Sequence, residues 1–383
     1  MQQYEGTPAQ FLDKNPTPVD WNPLLCYHKI MKIIHCADIH IGSALQNLPA
    51  EKARIRKREI LDAFFRMLAF AGENGVRAVI IAGDLFDSPR VSRQTKRELF
   101  GQISSLCQTD FLYLPGNHDK GVDFGDIGEA LPPNFHILGG GDDWKYFRCG
   151  NVCIAGYELS RGGFFWEKLR FERESFNIAV LHGEPAAIPF DRLKGRNINY
   201  LSLGDIHIPD MEPKRLDSRG VYAYSGCLEG RGFDETGERG FFLLDIEGGT
   251  FKRRFVEIAK RKYHALFVDI SGLDDHSKIY GRICEAAAHI PEQDIVKVIL
   301  KGRRKADAQI ERENLEVKLS ERFFFAKVED STSLDMDSID FSNEISLRSE
   351  FVKLVSSSDL PSERKEKILE YGIKALSGEA IDI

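Results

Sequence analysis

No two cysteines of this chain stand at CxxC spacing, no apolar run approaches the ~18 to 20 residues of a membrane span, and basic residues do not outnumber acidic ones. Each absence removes a class of protein. Seven cysteines, an odd number without close pairing, argue against a disulfide scaffold and point to reduced thiols in a cytoplasmic protein. Cys149 and Cys153, at CxxxC spacing, read as small core residues of a strand pair. The missing apolar run leaves no candidate spanning helix, and the first thirty residues lack the basic start and apolar centre of a secretion signal. A net charge of -7 argues against a uniformly basic nucleic-acid binder and leaves room for local basic surfaces. Internal repeats, low-complexity tracts and motifs for reading base sequence are also missing.

The composition present is that of an ordinary globular protein, 42% hydrophobic and 29% charged over 383 residues, enough for one large domain and one smaller one. Residues 1–30 show neither helical nor strand period and read as a loosely attached extension ahead of Met31, which looks like a domain's natural start. From Met31 strands and helices alternate: a strand over 33–37, a long charged helix over 50–74, a strand over 78–82, a helix over 92–107 and a strand over 111–114. After Pro132 short strands follow at close spacing as far as Ile258, among them 178–181 and 200–203. This mixture suits a two-sheet sandwich with helices outside, over residues 31–258. Residues 259–330 carry a compact βαβαβ pattern, a small α+β capping domain. Residues 331–383 read as a polar connector and a helix starting at Pro361, whose Ile368, Leu369, Ile373 and Leu376 form one apolar stripe, either packed within the chain or open to a partner.

Five polar clusters follow five apolar strands: Asp38-Ile-His40, Gly83-Asp84-Leu-Phe-Asp87, Gly116-Asn117-His118-Asp119, His182-Gly183 and Gly204-Asp205-Ile-His207. One such cluster is most often a turn or a cap. Five at successive strand ends suit a pair of divalent metals, which need a bridging carboxylate and several carboxylate, amide or imidazole ligands. Asp84 suits the bridge. Asp38, His40 and His207 complete one position, and Asn117, His182 and Asp205 the other. The glycines before Asp84, Asn117 and Asp205 allow sharp turns as each strand ends.

The set DIH, GDLFD, GNHD, HGE and GDIH resembles the motifs of the calcineurin-like metallophosphoesterases, which run DxH, GDxxD, GNHD, H and GHxH. The long helix after DIH and the run YSGCLEGRGFDETGERGFFLLDIE at residues 224–247 resemble more specifically the bacterial SbcD and YhaO type of DNA repair exonuclease. The resemblance covers roughly residues 31–258. It implies an α/β fold, a four-layer αββα sandwich, with two divalent metal ions, manganese first and magnesium as the alternative. It also implies phosphodiester hydrolysis, DNA as substrate and an SMC-like coiled-coil ATPase as partner. By the same resemblance His118 donates a proton to, or hydrogen-bonds, the leaving oxygen, and Asp119 either orients it or caps the turn. Asp87 reads as a supporting residue. One position departs from the pattern, because Asp205 stands where an imidazole is expected.

Basic stretches offer nucleic-acid contacts: Lys52, Arg54, Arg56, Lys57 and Arg58; Arg90, Arg93, Lys96 and Arg97; and Lys301, Arg303, Arg304 and Lys305. Arg231, between Gly230 and Gly232, and Arg90 are the candidates for substrate phosphate. A homodimer is a further arrangement consistent with the sequence, and a membrane is not an expected partner. Two other readings stand beside the metal-dependent nuclease. One is a phosphomonoesterase or small-molecule phosphodiesterase on the same scaffold, and the other is a non-catalytic scaffold with a weakened metal site.

Overall fold

The computed structural model describes residues 30–45, 47–125, 128, 130–159, 164–305, 310–335 and 347–376; the N-terminal extension, save Ile30, and most of the connector lie outside the described residues. Strand alternation sets the layers. In β1 (Met31–Cys36), Ile34 and Cys36 face a core beneath helices while Ile33 faces a second sheet. The same alternation recurs in β2 (Ala78–Ala82) and β3 (Asp110–Leu114): Val79, Ile81 and Phe111 face the helices, and Ile80, Leu112 and Leu114 the other sheet. Strands buried on both faces need cover on both, and α1 (Ala50–Glu73) and α2 (Arg93–Ser105) supply one side with Phe64, Met67, Leu99 and Ile103. Ser92 starts α2 by accepting the Thr95 N–H at 3.0 Å.

The first sheet runs β12 (Thr250–Glu257), β11 (Gly240–Glu247), β1, β2, β3 and β4 (Phe135–Ile137). The second runs β5 (Lys145–Cys149), β6 (Val152–Gly156), β7 (Phe176–His182), β8 (Tyr200–Gly204), β10 (Val221–Tyr224) and β9 (Lys214–Arg215). Every residue of β7 and of β8 is buried, as two-sided cover requires. Between the sheets lie Val152, Ile154, Ile178 and Val180 of one against Ile80, Leu112 and Leu244 of the other. The outer layer on the second sheet is thin, two single-turn helices, α3 (Phe165–Lys168) and α4 (Phe190–Leu193), with loops between. Phe165 of the FFW run packs there against Trp144 and Tyr157, so only Phe164 of the three stays largely exposed.

A third, all-parallel sheet of β13 (Tyr263–Asp269), β14 (Ile295–Lys301) and β16 (Phe325–Asp330) has its own core with α5 (His276–Ala286) and α6 (Arg312–Arg322). A ribbon of β15 (Arg303–Arg304) and β17 (Ser333–Leu334) extends this unit past residue 330. The terminal helix has a partner that the sequence pattern did not announce. In α7 (Leu347–Ser356), Val352 and Val355 pack on Leu369 and Ile373 of α8 (Ser362–Leu376), so the apolar stripe is covered from within the chain, with Leu376 left exposed.

His35 joins the two large sheets. Its Nε2 lies 3.2 Å from the Leu203 carbonyl and its Nδ1 2.8 Å from the Tyr200 hydroxyl. A carbonyl only accepts, so Nε2 carries the proton and Nδ1 accepts from Tyr200. Burial pushes the pKa of His35 down from 6.5 to about 3. Below pH 6.5 the unfolded chain therefore takes up a proton that the folded chain refuses, and stability falls with pH by up to about 1.4 kcal/mol per unit until about 3. His35→Gln keeps a donor and an acceptor without titrating. Urea unfolding should give it a shallower loss of stability below pH 6.5 than wild type, and equal slopes would assign the pH dependence elsewhere.

Candidate metal centre

Three strands of one sheet, β1, β2 and β3, and two of the other, β7 and β8, lead into the polar clusters, which converge beyond the strand ends. The loops after β1 and β2 run side by side, tied by Asp38 N to Gly83 O at 3.1 Å, His40 N to Asp84 O at 3.0 Å and Ile41 N to Leu85 O at 3.0 Å. Asp38 (φ 51), His40 (φ 50), Asp84 (φ 51) and Asp205 (φ 100) all occupy the left-handed backbone region. Residues other than glycine rarely do so, and such positions cluster at functional sites.

Asp84 Oδ2 lies 3.7 Å from His40 Nε2 and 3.5 Å from His182 Nε2, so one carboxylate oxygen faces both halves of the cluster. On one side His40 Nε2 meets His207 Nε2 at 3.3 Å, and donor atoms of Asp38, His40 and His207 all lie within 4.8 Å of one another. On the other side His182 Nε2 is 2.8 Å from Asn117 Oδ1 and 3.6 Å from Asp205 Oδ1. Asp38, Asp84 and His182 form a further such group, as do His40, Asp84 and His118.

These residues fit divalent cations. Asp38 and Asp84 are 0% and 1% exposed, and the charged groups beside them are histidines. Two imidazole nitrogens facing each other at 3.3 Å suit a shared cation and would repel if both were protonated. Two of the three rings have the remote nitrogen hydrogen-bonded, His182 Nδ1 2.8 Å from the Ala82 carbonyl and His207 Nδ1 2.8 Å from Glu235 Oε1, and His40 Nδ1 faces Asp87 Oδ1 at 3.3 Å without hydrogen-bond geometry. Such outer contacts orient imidazole ligands. The site calls for positive charge. Burial lifts Asp38 to about 7 despite His182 and His207; for Asp84 burial is outweighed by His182 and His40, which hold it below the usual range. Burial opposes charge on His182, but Asp84 and Asp38 raise it to about 9.

Asp119 does not orient His118. It is buried, with Oδ1 accepting the Gly116 N–H at 2.7 Å and Oδ2 the Phe86 N–H at 3.2 Å, so it closes the loop that carries Asn117. His118 is exposed and its Nδ1 donates to the Asp87 carbonyl at 3.2 Å, while its backbone N–H binds Asp84 Oδ1 at 2.9 Å. Arg231, expected to meet substrate phosphate, is engaged by the protein: it donates to Glu235 Oε1 at 3.0 Å and to Asp87 Oδ1 at 3.2 Å. Arg90 is exposed in the loop before α2 and its side chain joins no contact of the donor cluster among the described residues. Glu235 was the residue overlooked. Burial would raise its pKa, but His207 and Arg231 pull it down to about 2. Its only sequence signal was its place in the glycine-rich run 224–247.

The glycines act differently from one another. Gly83 has φ 97 and a Cβ there would sit 1.9 Å from His182 Nδ1, whereas at Gly116 the need is space alone, since a Cβ there would sit 2.0 Å from Asp84 Oδ1.

Residues 31–219 match the family model described as calcineurin-like phosphoesterase, and the chain carries a calcineurin-like metallophosphoesterase domain. Proteins of this family use a dinuclear divalent metal site. Among its relatives is the DNA double-strand break repair protein Mre11 of Haloferax volcanii, 25% identical across 92% of this chain and 76% of that protein. The Mre11 protein of Methanopyrus kandleri is also 25% identical, across 75% and 68%. The uncharacterized metallophosphoesterase YhaO of Bacillus subtilis is 23% identical, across 71% and 72%.

Gly116→Ala should push Asp84 out of place and lower metal-dependent hydrolysis by about 100-fold or more, because misplacement by about 1 Å is enough for that. Gly141→Ala, where the nearest atoms stand 3.9 Å from a new Cβ, serves as the control. Equal rates for the two variants would show that the Gly116 contact does not matter.

Proposed function

We propose that this protein is a metal-dependent DNA nuclease that cuts phosphodiester bonds. The observation that carries the reading is the double cluster of donors around Asp84. Asp38, His40, Asp84 and His207 would hold one cation and Asp84, Asn117, His182 and Asp205 the second. Bound there, such ions supply Lewis acidity at phosphoryl oxygen and offset negative charge in the transition state. Manganese and magnesium both suit this donor set.

The chain's own residues do the rest. Asp84 ties the halves together, and Asp87, Ala82 O and Glu235 keep His40, His182 and His207 in their orientations. His118 Nδ1 carries a proton on the Asp87 carbonyl, which leaves Nε2 to exchange a proton with a leaving oxygen. For DNA, Arg54, Lys57, Arg58, Arg90, Arg93 and Arg97 near the first two helices and Lys301, Arg303 and Lys305 in the small unit are exposed; Arg56, Lys96 and Arg304 are buried and serve structure.

A second reading, hydrolysis of small phosphodiesters, draws on the cleft beside Asn117 and Asp205. It holds about 420 Å³, and Glu158 and Glu184 stand in its wall beside Lys120, an acidic lining that suits a long polyanion poorly. Cleavage of single-stranded and duplex DNA measured against a chromogenic phosphodiester separates the two.

Asp84→Ala should abolish hydrolysis in manganese, since it removes the oxygen common to both halves; undiminished cleavage would sink the assignment. His118→Ala should keep both metals and lose about 100-fold in rate, and loss of metal would give His118 a different role. An SMC-like coiled-coil ATPase is the partner we assign to the α7–α8 hairpin, whose outer side exposes Leu347 and Leu354. Removing residues 346–383 should spare hydrolysis of short DNA and weaken that complex in a pull-down with the purified ATPase. Unaltered binding would move the docking surface elsewhere.

A further inference from the structure

The two halves of the metal centre are chemically unequal. The half built on His40 and His207 offers two imidazole nitrogens together with the carboxylates of Asp38 and Asp84. In the other half three oxygen donors surround one imidazole nitrogen: Asn117 Oδ1 at 2.8 Å, Asp84 Oδ2 at 3.5 Å and Asp205 Oδ1 at 3.6 Å from His182 Nε2. Asp205 is held for this position. Its backbone N–H donates to Asp38 at 3.0 Å, its φ is 100, and a Cβ on the preceding Gly204 would sit 1.9 Å from the Ala82 carbonyl, so the backbone that carries the carboxylate is fixed beside His182.

We propose that this centre selects two different ions, a transition-series divalent cation such as manganese in the imidazole-rich half and magnesium in the oxygen-rich half, with Asp205 as the residue that decides the second. The inference rests on the dinuclear reading given above. Its warrant is donor chemistry. Imidazole nitrogen favours first-row transition ions over magnesium, and carboxylate and amide oxygens suit magnesium; each position has two carboxylates, and the second has the Asn117 amide oxygen where the first has a second imidazole nitrogen. Asn117 and Asp205 also line the 420 Å³ cleft, which leaves water access on that side, and magnesium characteristically retains several waters.

Full-length protein, stripped with a chelator and desalted, is equilibrated with manganese alone and with manganese plus a large excess of magnesium. Metal content per chain and the manganese electron paramagnetic resonance spectrum are then recorded for wild type and Asp205→His. In manganese alone both chains should hold two manganese ions with a spin-coupled spectrum. With excess magnesium, wild type should retain one manganese per chain with an uncoupled six-line spectrum and one magnesium. Asp205→His should keep two coupled manganese ions there, its second position favouring manganese by about tenfold more than in wild type. Two coupled manganese ions in wild type under magnesium would overturn the proposal while leaving the dinuclear reading intact, and this measurement decides even if the variant does not fold. Fewer than two manganese ions in manganese alone would overturn the dinuclear reading itself, and with it this proposal. Asp205→Asn, which keeps the size and an oxygen donor, should follow the wild-type pattern; behaviour like Asp205→His would count against the role of the oxygen.

Discussion

Asp38 and Asp84 lie side by side almost wholly out of water, and most of the molecule's architecture serves to keep them there. Isolated buried carboxylates of this kind protonate or recruit positive charge, because desolvation of an ion costs several kcal/mol after relaxation. Here the neighbours are imidazoles, which can carry a proton or donate a lone pair to a cation. His182 comes from the second sheet, so the pairing exists only where the two sheets meet. The sandwich core of Ile80, Leu112, Leu114, Ile178 and Val180 sets that meeting and thereby the separation of the two ligand sets.

A second buried network sits behind the first. Arg56, entirely enclosed, donates to Glu59 at 2.7 Å, Glu229 at 2.8 Å and the Gly230 carbonyl at 2.6 Å, while Arg261 reaches Glu59 at 2.8 Å. Breaking one member of such a set typically costs about 3 to 5 kcal/mol, because a charge is left buried without its partner. The network fastens α1, the loop at 229–235 and the first residues of the third sheet at one point. Tyr263 of β13 adds a bond from its hydroxyl to the Arg231 carbonyl at 3.2 Å. Glu235, which braces His207, and Arg231, which donates to Glu235, are therefore held from the small sheet as well as from the sandwich.

Much of this was legible in the amino-acid order, and the gaps have physical reasons. The strands ending at Asp38, Asp84, Asn117, His182 and Asp205 announced themselves because two-sided burial writes continuous apolar runs, and the polar residues beyond them carried the chemistry. What spacing does not encode is which partner a polar side chain finds. Asp119 stood beside His118 in sequence, yet its carboxylate caps backbone N–H groups, and nothing local distinguishes those jobs. Arg56, Lys96 and Arg304 read as nucleic-acid contacts because burial of a basic residue depends on distant acids or carbonyls, Glu229 for Arg56 and Asp123 O for Lys96. Glu235 was hidden for the same reason. Its partners His207 and Arg231 meet it only through loop geometry. Helix α7 escaped because it follows a long polar stretch that reads as connector.

The backbone at the ligands gives a last constraint. Three non-glycine residues of the donor cluster on two adjacent loops, and Asp205 on a third, sit at positive φ, at a cost of roughly 1 to 3 kcal/mol each. Metal binding alone is a poor source for offsetting that strain, because a chain that adopted it only on binding would lose the same energy from its affinity. The hydrogen bonds between the loops after β1 and β2, Asp38 N to Gly83 O and onward to Asp87 N on Ile41 O, continue the pairing of two buried strands beyond their ends. The strain is thus carried by the sheet. Asp38, His40 and Asp84 are aimed by the same register that pairs Ile34 with Val79 and Cys36 with Ile81, so the most rigid part of the fold positions the donors before any cation arrives.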